Sequence, residues 1–431
     1  MKVLLVSPMV SKIWKPHAIL PFGLCSLKAA VESTTEHEVR VLDATGMALL
    51  EVRGEMEKYK PNVVGVTTCT ETRHNALDIA RLGHELGAAT ILGGVHATHT
   101  SQQILSNYPF VDAVCKGEGE ITFPDWLGNF TEELSALVLQ NLDELPFPDF
   151  SDLDLGKYVN LGFLCRGETL MTVETSRGCP YSCSFCSLVG SKVRNKSVDR
   201  VIKELELLKE KHNTKLVLFL DDIFTMDKAR AREICKRMLG LDIVWIAQTR
   251  VDCVDKETLQ AMWEAGCRIV GFGVESAAAE VLKLMDKRQT KEEVIHAFDL
   301  CRDIGFETVF NLVVGCPGET KETLAETRQL VRECKPTRLG AYEVRAYPGS
   351  KLWERGIEKG LFTEDILLGK QERVYYEEVM SWGRMYLELL RFRLLLARVR
   401  GIKGWIELLK VVLDTLRSTP SRLLMGVLRR R

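Results

Sequence analysis

Three cysteines lie in one short stretch of the chain with a spacing that suits metal chemistry. Cys179, Cys183 and Cys186 form a C-x3-C-x2-C pattern directly after an apolar run, residues 170–175, that predicts a buried strand. A tight loop of this kind can direct three thiolates at an iron–sulfur cubane and leave its fourth iron open to a ligand that is not protein. Zinc is the rival interpretation, but structural zinc sites usually add a second cysteine pair or histidines, and neither lies nearby. The pattern favours a four-iron, four-sulfur cluster.

Polar residues follow the apolar runs of the second half of the chain, where strands are expected to end. The runs span residues 170–175, 215–220, 243–248, 268–274, 308–314 and 339–345, and helical stretches separate them. Six strand–helix units favour a partial parallel barrel, in which chemistry collects at the carboxyl ends of the strands. The residues expected at those ends are Asp222, Arg250, Glu275, Ser276, Gly315 and Pro317. Each could be a helix cap or an ion pair, but their shared position favours a binding site.

The first part of the chain has its own alternation of apolar runs and helical stretches. The runs span residues 2–7, 37–42, 62–67, 89–93 and 111–115, and the helical stretches span 23–33, 47–59, 73–86 and 101–106. Near-continuous apolar strands between amphipathic helices predict a doubly wound parallel sheet. Loops rich in glycine and threonine follow three of these strands, where ligands of such sheets bind.

The cysteine loop, with Phe185 directly before its third cysteine, resembles the cluster loop of the radical S-adenosylmethionine (SAM) superfamily. This resemblance implies a cluster whose open iron chelates SAM and whose electron cleaves SAM to a 5′-deoxyadenosyl radical. An external electron donor such as flavodoxin or ferredoxin is implied as a partner. The same resemblance implies that Phe185, Asp222, Arg250, Glu275, Ser276, Gly315 and Pro317 contact SAM. Asp222 would bind the ammonium group, Arg250, Glu275 and Ser276 would approach the carboxylate and ribose, and Gly315–Gly318 would shape the adenine side.

The loops of the first domain resemble those of the cobalamin-binding domain that precedes many radical SAM cores. The residues that carry this resemblance, and that it implies as cobalamin contacts, are Gly23, Thr67, Thr68, Gly93, Gly94, His96, Gly117, Glu118 and Gly119. No Asp-x-His-x-x-Gly motif is present, which implies base-off cobalamin without a histidine below cobalt. The alternative is a cobalamin-like fold that has lost its cofactor, since fold alone does not fix function.

The predicted fold class is α/β, with a flavodoxin-like cobalamin-binding domain, a partial (β/α)6 TIM-type radical SAM barrel and a helical extension. The predicted boundaries are 1–135 for the first domain, 136–165 for a proline-containing linker, 166–370 for the barrel and 371–431 for the extension. The 431 residues are 46% hydrophobic and 27% charged with a net charge of −1, which gives no indication of nucleic-acid binding. Without a signal peptide or an apolar run long enough to span a membrane, the sequence predicts a cytoplasmic protein with reduced cysteines.

The C-terminal extension is predicted to be helical from Tyr376 to the end of the chain. It is basic and rich in leucine: its cations are Arg391, Arg393, Arg398, Arg400, Lys403, Lys410, Arg417, Arg422 and Arg429–Arg431. One interpretation is an amphipathic cap packed on the barrel. The other is an interfacial surface that meets anionic lipid and admits an apolar substrate.

Taken with the resemblance, these features predict a radical SAM enzyme that methylates an unactivated carbon with cobalamin. One alternative keeps both cofactors but catalyses cyclisation or oxidation, like the tetrapyrrole cyclases that the chain also resembles. A second alternative is a non-catalytic iron–sulfur protein. The substrate is expected to be a small molecule, and the basic, leucine-rich tail favours a lipid or tetrapyrrole over a peptide.

Overall fold

The computed structural model describes residues 1–8, 19–130, 134, 138–158, 167–188, 190–369, 374–401 and 404–405. These residues form two separate parallel sheets, each covered by helices, and a short antiparallel hairpin between them. The predicted α/β class with two sheets is therefore confirmed. The predicted boundaries near residues 135, 165 and 370 fall on positions outside the described ranges and stay predictions.

The first sheet has five parallel strands in the order β2-β1-β3-β4-β5. Its elements are β1 (Lys2–Ser7), α1 (Phe22–Thr34), β2 (Glu38–Asp43), α2 (Leu49–Tyr59), β3 (Val63–Thr67), α3 (Arg73–Glu85), β4 (Ala89–Gly93), α4 (Val95–Asn107), β5 (Ala113–Val114) and α5 (Gly119–Asn129). Side chains of β1 alternate between two cores: Leu4 and Val6 pack on one face, and Val3 and Leu5 on the other. Both faces are thus buried, as a doubly wound sheet requires.

The second sheet has six parallel strands in the open order β13-β12-β11-β10-β9-β6, which is the predicted partial barrel. Its elements are β6 (Leu170–Val173), α6 (Val198–His212), β9 (Leu216–Phe219), α7 (Lys228–Met238), β10 (Val244–Thr249), α8 (Lys256–Glu264), β11 (Cys267–Glu275), α9 (Ala279–Leu284), α10 (Lys291–Ile304), β12 (Glu307–Val314), α11 (Lys321–Cys334), β13 (Arg338–Glu343) and α12 (Lys351–Glu358). The hairpin pairs β7 (Ser176–Arg177) with β8 (Arg194–Asn195) on either side of the cysteine loop.

Two helices of the first domain differ from the expected pattern. Helix α4 consists of two helical segments that meet at Thr100, where the backbone is not helical (φ −128°, ψ 20°): the expected stretch 101–106 lies in the second segment, and the first, which begins at Val95, was not predicted. Helix α5 was not predicted, since its Gly119 start and its internal Pro124 both disfavour helix. The glycine loops expected to contact cobalamin therefore lie at helix starts.

The two sheets meet through side chains that follow their strands. Glu71, after β3, accepts hydrogen bonds from Arg345 Nη1 and from the Tyr347 hydroxyl, both at 2.8 Å. Arg73 is 1% exposed and donates from Nε to the Leu367 carbonyl at 2.9 Å. These contacts bring the carboxyl ends of β3 and β13 to one interface.

The last described helix is α13 (Trp382–Val399). The prediction that the helix starts at Tyr376 is wrong, because Tyr375 pairs with Arg345 as a β-bridge and Tyr376 is fully buried beside it. Met385, Leu389, Phe392 and Leu395 of α13 are buried in the barrel core, which confirms the cap interpretation for this helix. The expected helix from residue 406 onward lies outside the described residues. No helix that the structure describes is long and apolar enough to cross a membrane.

Candidate active site

The three cysteines lie in a loop between β7 and β8, at the carboxyl end of β6. Hydrogen bonds hold this loop from several sides: Cys179 N–H donates to Ser191 Oγ at 2.9 Å, and Ser184 N–H donates to the Met285 carbonyl at 2.9 Å. Cys186 Sγ accepts a hydrogen bond from Leu188 N–H at 3.3 Å. Backbone contacts of this kind fix the positions of the thiols before any ligand binds.

All three thiols are free, and their surroundings are charged. Burial raises the pKa of each of the three thiols. The Asp222 carboxylate raises the pKa of Cys179 and of Cys186 further. The positive charges of Lys287 and Arg250 lower the pKa of Cys183. Among the described residues, no three His, Cys, Asp or Glu side chains converge closely enough to hold a single metal ion. A cubane does not need such convergence, because each thiolate binds a different iron. The free, fixed thiols of this loop fit a cluster.

Arg250 and Asp222, predicted at strand ends, lie beside the cysteine loop. Arg250 is 5% exposed, stacks on the Tyr181 ring at 3.7 Å and forms a two-pronged ion pair with Asp252 at 2.9 Å. Its neighbour on the loop, Tyr181, was not singled out from the sequence. Asp222 is exposed, whereas the adjacent Asp221 is buried and accepts a hydrogen bond from Thr175 Oγ1 at 2.6 Å. Of this aspartate pair, only Asp222 is available to a ligand.

Glu275 ends β11 in a conformation that few residues adopt. Its φ is +64°, in the left-handed region, and the strand register shifts between Gly273 and Glu275. The carboxylate is paired with Lys287 Nζ at 2.9 Å, and both side chains are nearly buried. A Cβ on Gly273 would lie 2.7 Å from Glu275 Oε1, so the pair needs glycine at that position. Backbone strain of this kind is typical of functional sites. Lys287 was missed because nothing in its sequence context marks it.

Four further residues expected near SAM have other contacts. Ser276 is 1% exposed, and its hydroxyl lies 3.4 Å from Thr327 Oγ1 and accepts from Ala278 N–H. None of these contacts is with the cysteine loop. Gly315 and Pro317 lie in the buried loop after β12, and a Cβ on Gly315 would meet Met385 of α13 at 2.8 Å. Phe185 is half-buried and packs against the barrel core.

In the first sheet, the loops after β3 and β4 lie at the carboxyl ends of the strands, as the cysteine loop does in the barrel. Thr68 donates from its hydroxyl to the Gly93 carbonyl at 3.0 Å and accepts from Ala97 N–H at 3.1 Å. Gly94 has φ +91°, and a Cβ there would lie 2.6 Å from the Thr68 carbonyl and 2.9 Å from Thr67 Oγ1. The loop after β4 can lie this close to the loop after β3 only because Gly94 has no side chain.

Other predicted cobalamin contacts differ in how far the structure supports them. Gly117 N–H donates to Thr98 Oγ1 at 3.0 Å, Gly119 begins α5, and Gly23 is exposed in the first turn of α1. The Glu118 carboxylate is bound to Arg194 and accepts from Leu139 N–H at 2.9 Å. Although burial raises it, these hydrogen bonds bring the pKa of Glu118 below its ordinary value. A cobalamin contact through the Glu118 side chain is therefore not supported, because that side chain joins the domains.

His96 is buried with its ring nitrogen Nδ1 3.2 Å from Thr70 Oγ1. Burial, with the charge of Arg73 as the next cause, lowers the pKa of His96 from 6.5 to about 3. The imidazole is therefore neutral in the folded protein over the physiological range.

This shift predicts an acid sensitivity that His96→Asn removes. In the unfolded chain the imidazole takes up a proton near pH 6.5, so acid favours unfolding below that value by up to about 1.4 kcal/mol per pH unit. Urea unfolding at about pH 7 and about pH 5 should show roughly 2 kcal/mol less acid destabilisation in the variant than in the wild type. His84→Asn, at an exposed histidine, is the control. Equal losses in wild type and His96→Asn would show that the imidazole is not held neutral.

An open cleft of about 250 Å³ lies where the two sheet edges meet. The first domain contributes Cys69, Thr70, Glu71, Val95 and His96, and the barrel contributes Ser187, Tyr347 and Pro348. Ser187 directly follows Cys186, so the cleft reaches from the loops after β3 and β4 to the cysteine loop. The loops expected to bind cobalamin and the loop expected to hold the cluster therefore line the same cleft.

Comparison with known proteins gives the class that this fold and site define. Residues 173–331 match the radical SAM superfamily, and residues 16–127 match the B12 binding domain. The chain belongs to the radical SAM superfamily, in the branch that carries a B12-binding domain. It is an enzyme whose cofactors are an iron–sulfur cluster, SAM and cobalamin. The alternative of a non-catalytic iron–sulfur protein is therefore not supported.

Within that branch, the chain is similar to methyltransferases and to a cyclase. It is 32% identical over 393 residues to an uncharacterized methyltransferase of Pyrococcus horikoshii, with 84% of each chain covered. It is 27% identical over 337 residues to the anaerobic magnesium-protoporphyrin IX monomethyl ester cyclase of Rubrivivax gelatinosus, covering 70% of this chain but only 60% of the cyclase. The chain also shares its fold with the radical SAM methyltransferase TsrM of Kitasatospora setae, which was solved with tryptophan substrate and a SAM analogue. The TM-score is 0.71 at 18% identity, and the match covers 91% of this chain and 88% of TsrM.

Proposed function

We propose that this enzyme transfers a methyl group to an unactivated carbon of a small, largely apolar molecule bound in the cleft between its two sheets. The observation that supports the proposal is the shared cleft, since a substrate bound there would lie within reach of both proposed cofactor sites. Similarity to the Pyrococcus horikoshii methyltransferase over 84% of both chains supports methyl transfer.

In this proposal the barrel holds the cluster and SAM. Cys179, Cys183 and Cys186 each bind one iron, and Asp222, Arg250 and Glu275 line the SAM site beside them. Arg250 and Glu275 are already held in place by Asp252 and Lys287, so they can orient SAM without a large rearrangement. Gly315 and Pro317 shape the adenine side, and Phe185 packs behind the third cysteine.

The first domain holds cobalamin along the loops after β3, β4 and β5. Thr67, Thr68, Gly93, Gly94 and His96 present backbone and hydroxyl groups at this edge, and a neutral His96 adds no charge against the cofactor. Gly117 and Gly119 contribute from the next loop, and Gly23 from the start of α1. The absence of an Asp-x-His-x-x-Gly motif from the sequence supports base-off binding.

When bound, the cluster would be reduced by an external one-electron donor and would cleave SAM to a radical that removes a hydrogen atom from the substrate, and cobalamin would provide the methyl group. The residues of the chain orient and enclose the substrate. Glu71 is paired with Arg345 and Tyr347 at the cleft wall, so this wall offers no unpaired charge to an anionic group. Val95 and Pro348 add apolar surface. A neutral substrate with a large apolar part fits such a cleft best, because polar groups left unpaired there would cost free energy.

Isotope transfer tests the function directly. Enzyme reconstituted anaerobically with iron, sulfide and hydroxocobalamin is incubated with SAM carrying a deuterated methyl group and with lipid and tetrapyrrole extracts. We expect 5′-deoxyadenosine together with a product that contains the deuterated methyl group, seen by mass spectrometry. A product that loses hydrogen and gains no deuterated methyl group would instead favour the cyclase alternative. That alternative has less support, because the similarity covers only 60% of the Rubrivivax gelatinosus cyclase.

The outer face of α13 supports contact with an anionic lipid surface, from which an apolar substrate could enter. Arg384, Leu387, Arg391, Leu394 and Arg398 are exposed at helical spacing on the side opposite the barrel. The only acidic residue of α13, Glu388, is 4% exposed and is paired with Arg328 at 3.0 Å and with Arg391, so Arg384 and Arg398 carry the charge of this face. The helix is therefore a cap on its inner face and a cationic, leucine-bearing surface on its outer face.

Vesicle binding checks this surface without removing the helix. Each arginine near an anionic membrane contributes about 1 kcal/mol, so Arg384→Gln with Arg398→Gln should weaken cosedimentation with phosphatidylserine vesicles by about 2 kcal/mol, or roughly thirtyfold. Arg53→Gln with Arg237→Gln removes two exposed, ion-paired arginines elsewhere and is the matched control. Negligible binding by the wild type, or equal binding by all three proteins, would leave α13 as a cap only.

A further inference from the structure

The hairpin that frames the cysteine loop carries two arginines directly opposite each other. Arg177 of β7 pairs in register with Arg194 of β8, and Arg177 lies two residues before Cys179. Like charges at opposite positions of an antiparallel pair destabilise it. A hairpin of two residues per strand has few other contacts to offset this repulsion, so it needs acidic partners from elsewhere.

Those partners come mainly from the first domain. Glu118 contacts Arg194 through both oxygens, at 2.5 Å and 2.9 Å, and lies 3.6 Å from Arg177 Nη1. Glu120 accepts from Arg177 Nη2 at 2.7 Å and from Ser26 Oγ at 2.9 Å. Within the barrel, Glu174 contacts Arg177 Nε at 2.7 Å. Arg177 therefore has acidic partners on both sides of the interface, whereas the ion-pair partner described for Arg194 is Glu118.

The four side chains are well shielded from solvent. Their exposed fractions are 16% for Glu118, 8% for Glu120, 14% for Arg177 and 9% for Arg194. Salt screens pairs of this kind weakly, and breaking one leaves a charge that solvent reaches poorly. Removing one partner of this network should therefore cost more than removing one partner of an exposed ion pair on the protein surface.

The network also joins the loops of both cofactors. Glu118 lies in the loop between β5 and α5, where Gly117 and Gly119 are proposed to contact cobalamin, and Gly117 N–H is bonded to Thr98 of α4. Arg177 and Arg194 lie at the base of the loop proposed to hold the cluster. We therefore expect a displacement of one loop to move the other through a few short contacts.

We propose that Glu118 and Glu120 are positioning residues, which hold the cluster hairpin in shape and fix the cluster at its working distance from cobalamin. This proposal rests on the proposed function, which assigns cobalamin and the cluster to these two loops. It adds a role for two carboxylates that contact neither cofactor. It implies an order of importance: Glu118→Gln should matter more than Glu120→Gln, because Arg177 keeps Glu174 whereas Arg194 loses its acidic partner.

Electron paramagnetic resonance of the reconstituted holoenzyme tests the distance. A reduced cluster accelerates the spin relaxation of nearby cob(II)alamin, and the effect falls steeply with distance. In Glu118→Gln, with iron and cobalamin content equal to wild type, we expect this acceleration to fall toward the value for protein without a cluster, and Glu120→Gln should give a smaller fall. The matched control is Glu168→Gln, which removes an exposed ion pair with Lys215.

Hydrogen exchange of the cofactor-free protein gives a second, independent readout. Amide exchange in residues 176–188 and 190–195 should rise roughly tenfold or more in Glu118→Gln and stay unchanged in Glu168→Gln. Unchanged exchange and unchanged relaxation in Glu118→Gln would overturn the proposal. Failure of the wild type to bind cobalamin would instead count against the proposed function, so the two failures are distinguishable.

Discussion

Replacing Cys179, Cys183 or Cys186 with alanine should abolish the cluster and with it all SAM cleavage. Each thiolate binds one iron, and with two protein ligands the cubane is no longer held. Since free thiols already occupy a loop held by backbone hydrogen bonds, the fold should persist. Iron content, the cluster absorbance and 5′-deoxyadenosine formation with a chemical reductant measure the effect.

A buried cysteine outside the loop provides the control for this result. Cys334 lies near the end of α11 and is 2% exposed, so Cys334→Ala tests loss of a thiol without loss of a ligand. It should keep full iron content and SAM cleavage. Wild-type SAM cleavage by any of the three loop variants would contradict the cluster assignment.

Gly94→Ala should abolish or greatly weaken cobalamin binding. The added Cβ would lie 2.6 Å from the Thr68 carbonyl and 2.9 Å from Thr68 N, and φ at this position is +91°. Because those neighbours are backbone atoms after β3, the edge must shift to admit the methyl group. A backbone conformation of this type costs another 1–3 kcal/mol or so for a residue with a side chain. We expect cobalamin affinity to fall by at least about tenfold, measured by absorbance titration of the anaerobic protein.

Gly87→Ala is the control, because this variant has the cost of positive φ without a steric clash at the edge of the sheet. Gly87 also has positive φ, +83°, but a Cβ there would meet no atom within 4 Å. Its variant should lose some stability and keep its cobalamin affinity. If Gly94→Ala binds cobalamin like the wild type while thermal unfolding confirms that it is folded, the edge at Thr68 and Gly94 is not the cofactor site.

The regular elements of this protein could be predicted because local signals agree with the fold. Six barrel helices each follow a side chain that caps the first turn: Ser197, Asp227, Asp255, Thr290, Thr320 and Ser350. The three cysteines proposed to hold the cluster stand out in the sequence for a similar reason, since their spacing is local. The strands were found from continuous apolar runs that both faces of a covered sheet require.

What the sequence did not show depends on contacts between distant residues. Nothing near Glu118 indicates that its carboxylate binds Arg194, and Ser276 looks like a strand-end ligand until Thr327 is seen beside it. Lys287 and Tyr181 were missed because their partners, Glu275 and Arg250, follow other strands. The first segment of α4 is not evident from the sequence, because Val95, His96 and Thr98 in its first turn have low helix propensity.

The opposed arginines of the hairpin have a consequence for how this enzyme is made. The first domain leaves the ribosome before the barrel, and domains generally fold in that order during synthesis. Glu118 and Glu120 can therefore be in place when Arg177 and Arg194 emerge, so that the hairpin forms against a ready acidic surface. A barrel expressed without residues 1–130 would have to form the same hairpin against its own repulsion. If Cys179, Cys183 and Cys186 hold the cluster as proposed, iron–sulfur assembly on this chain follows the folding of the first domain.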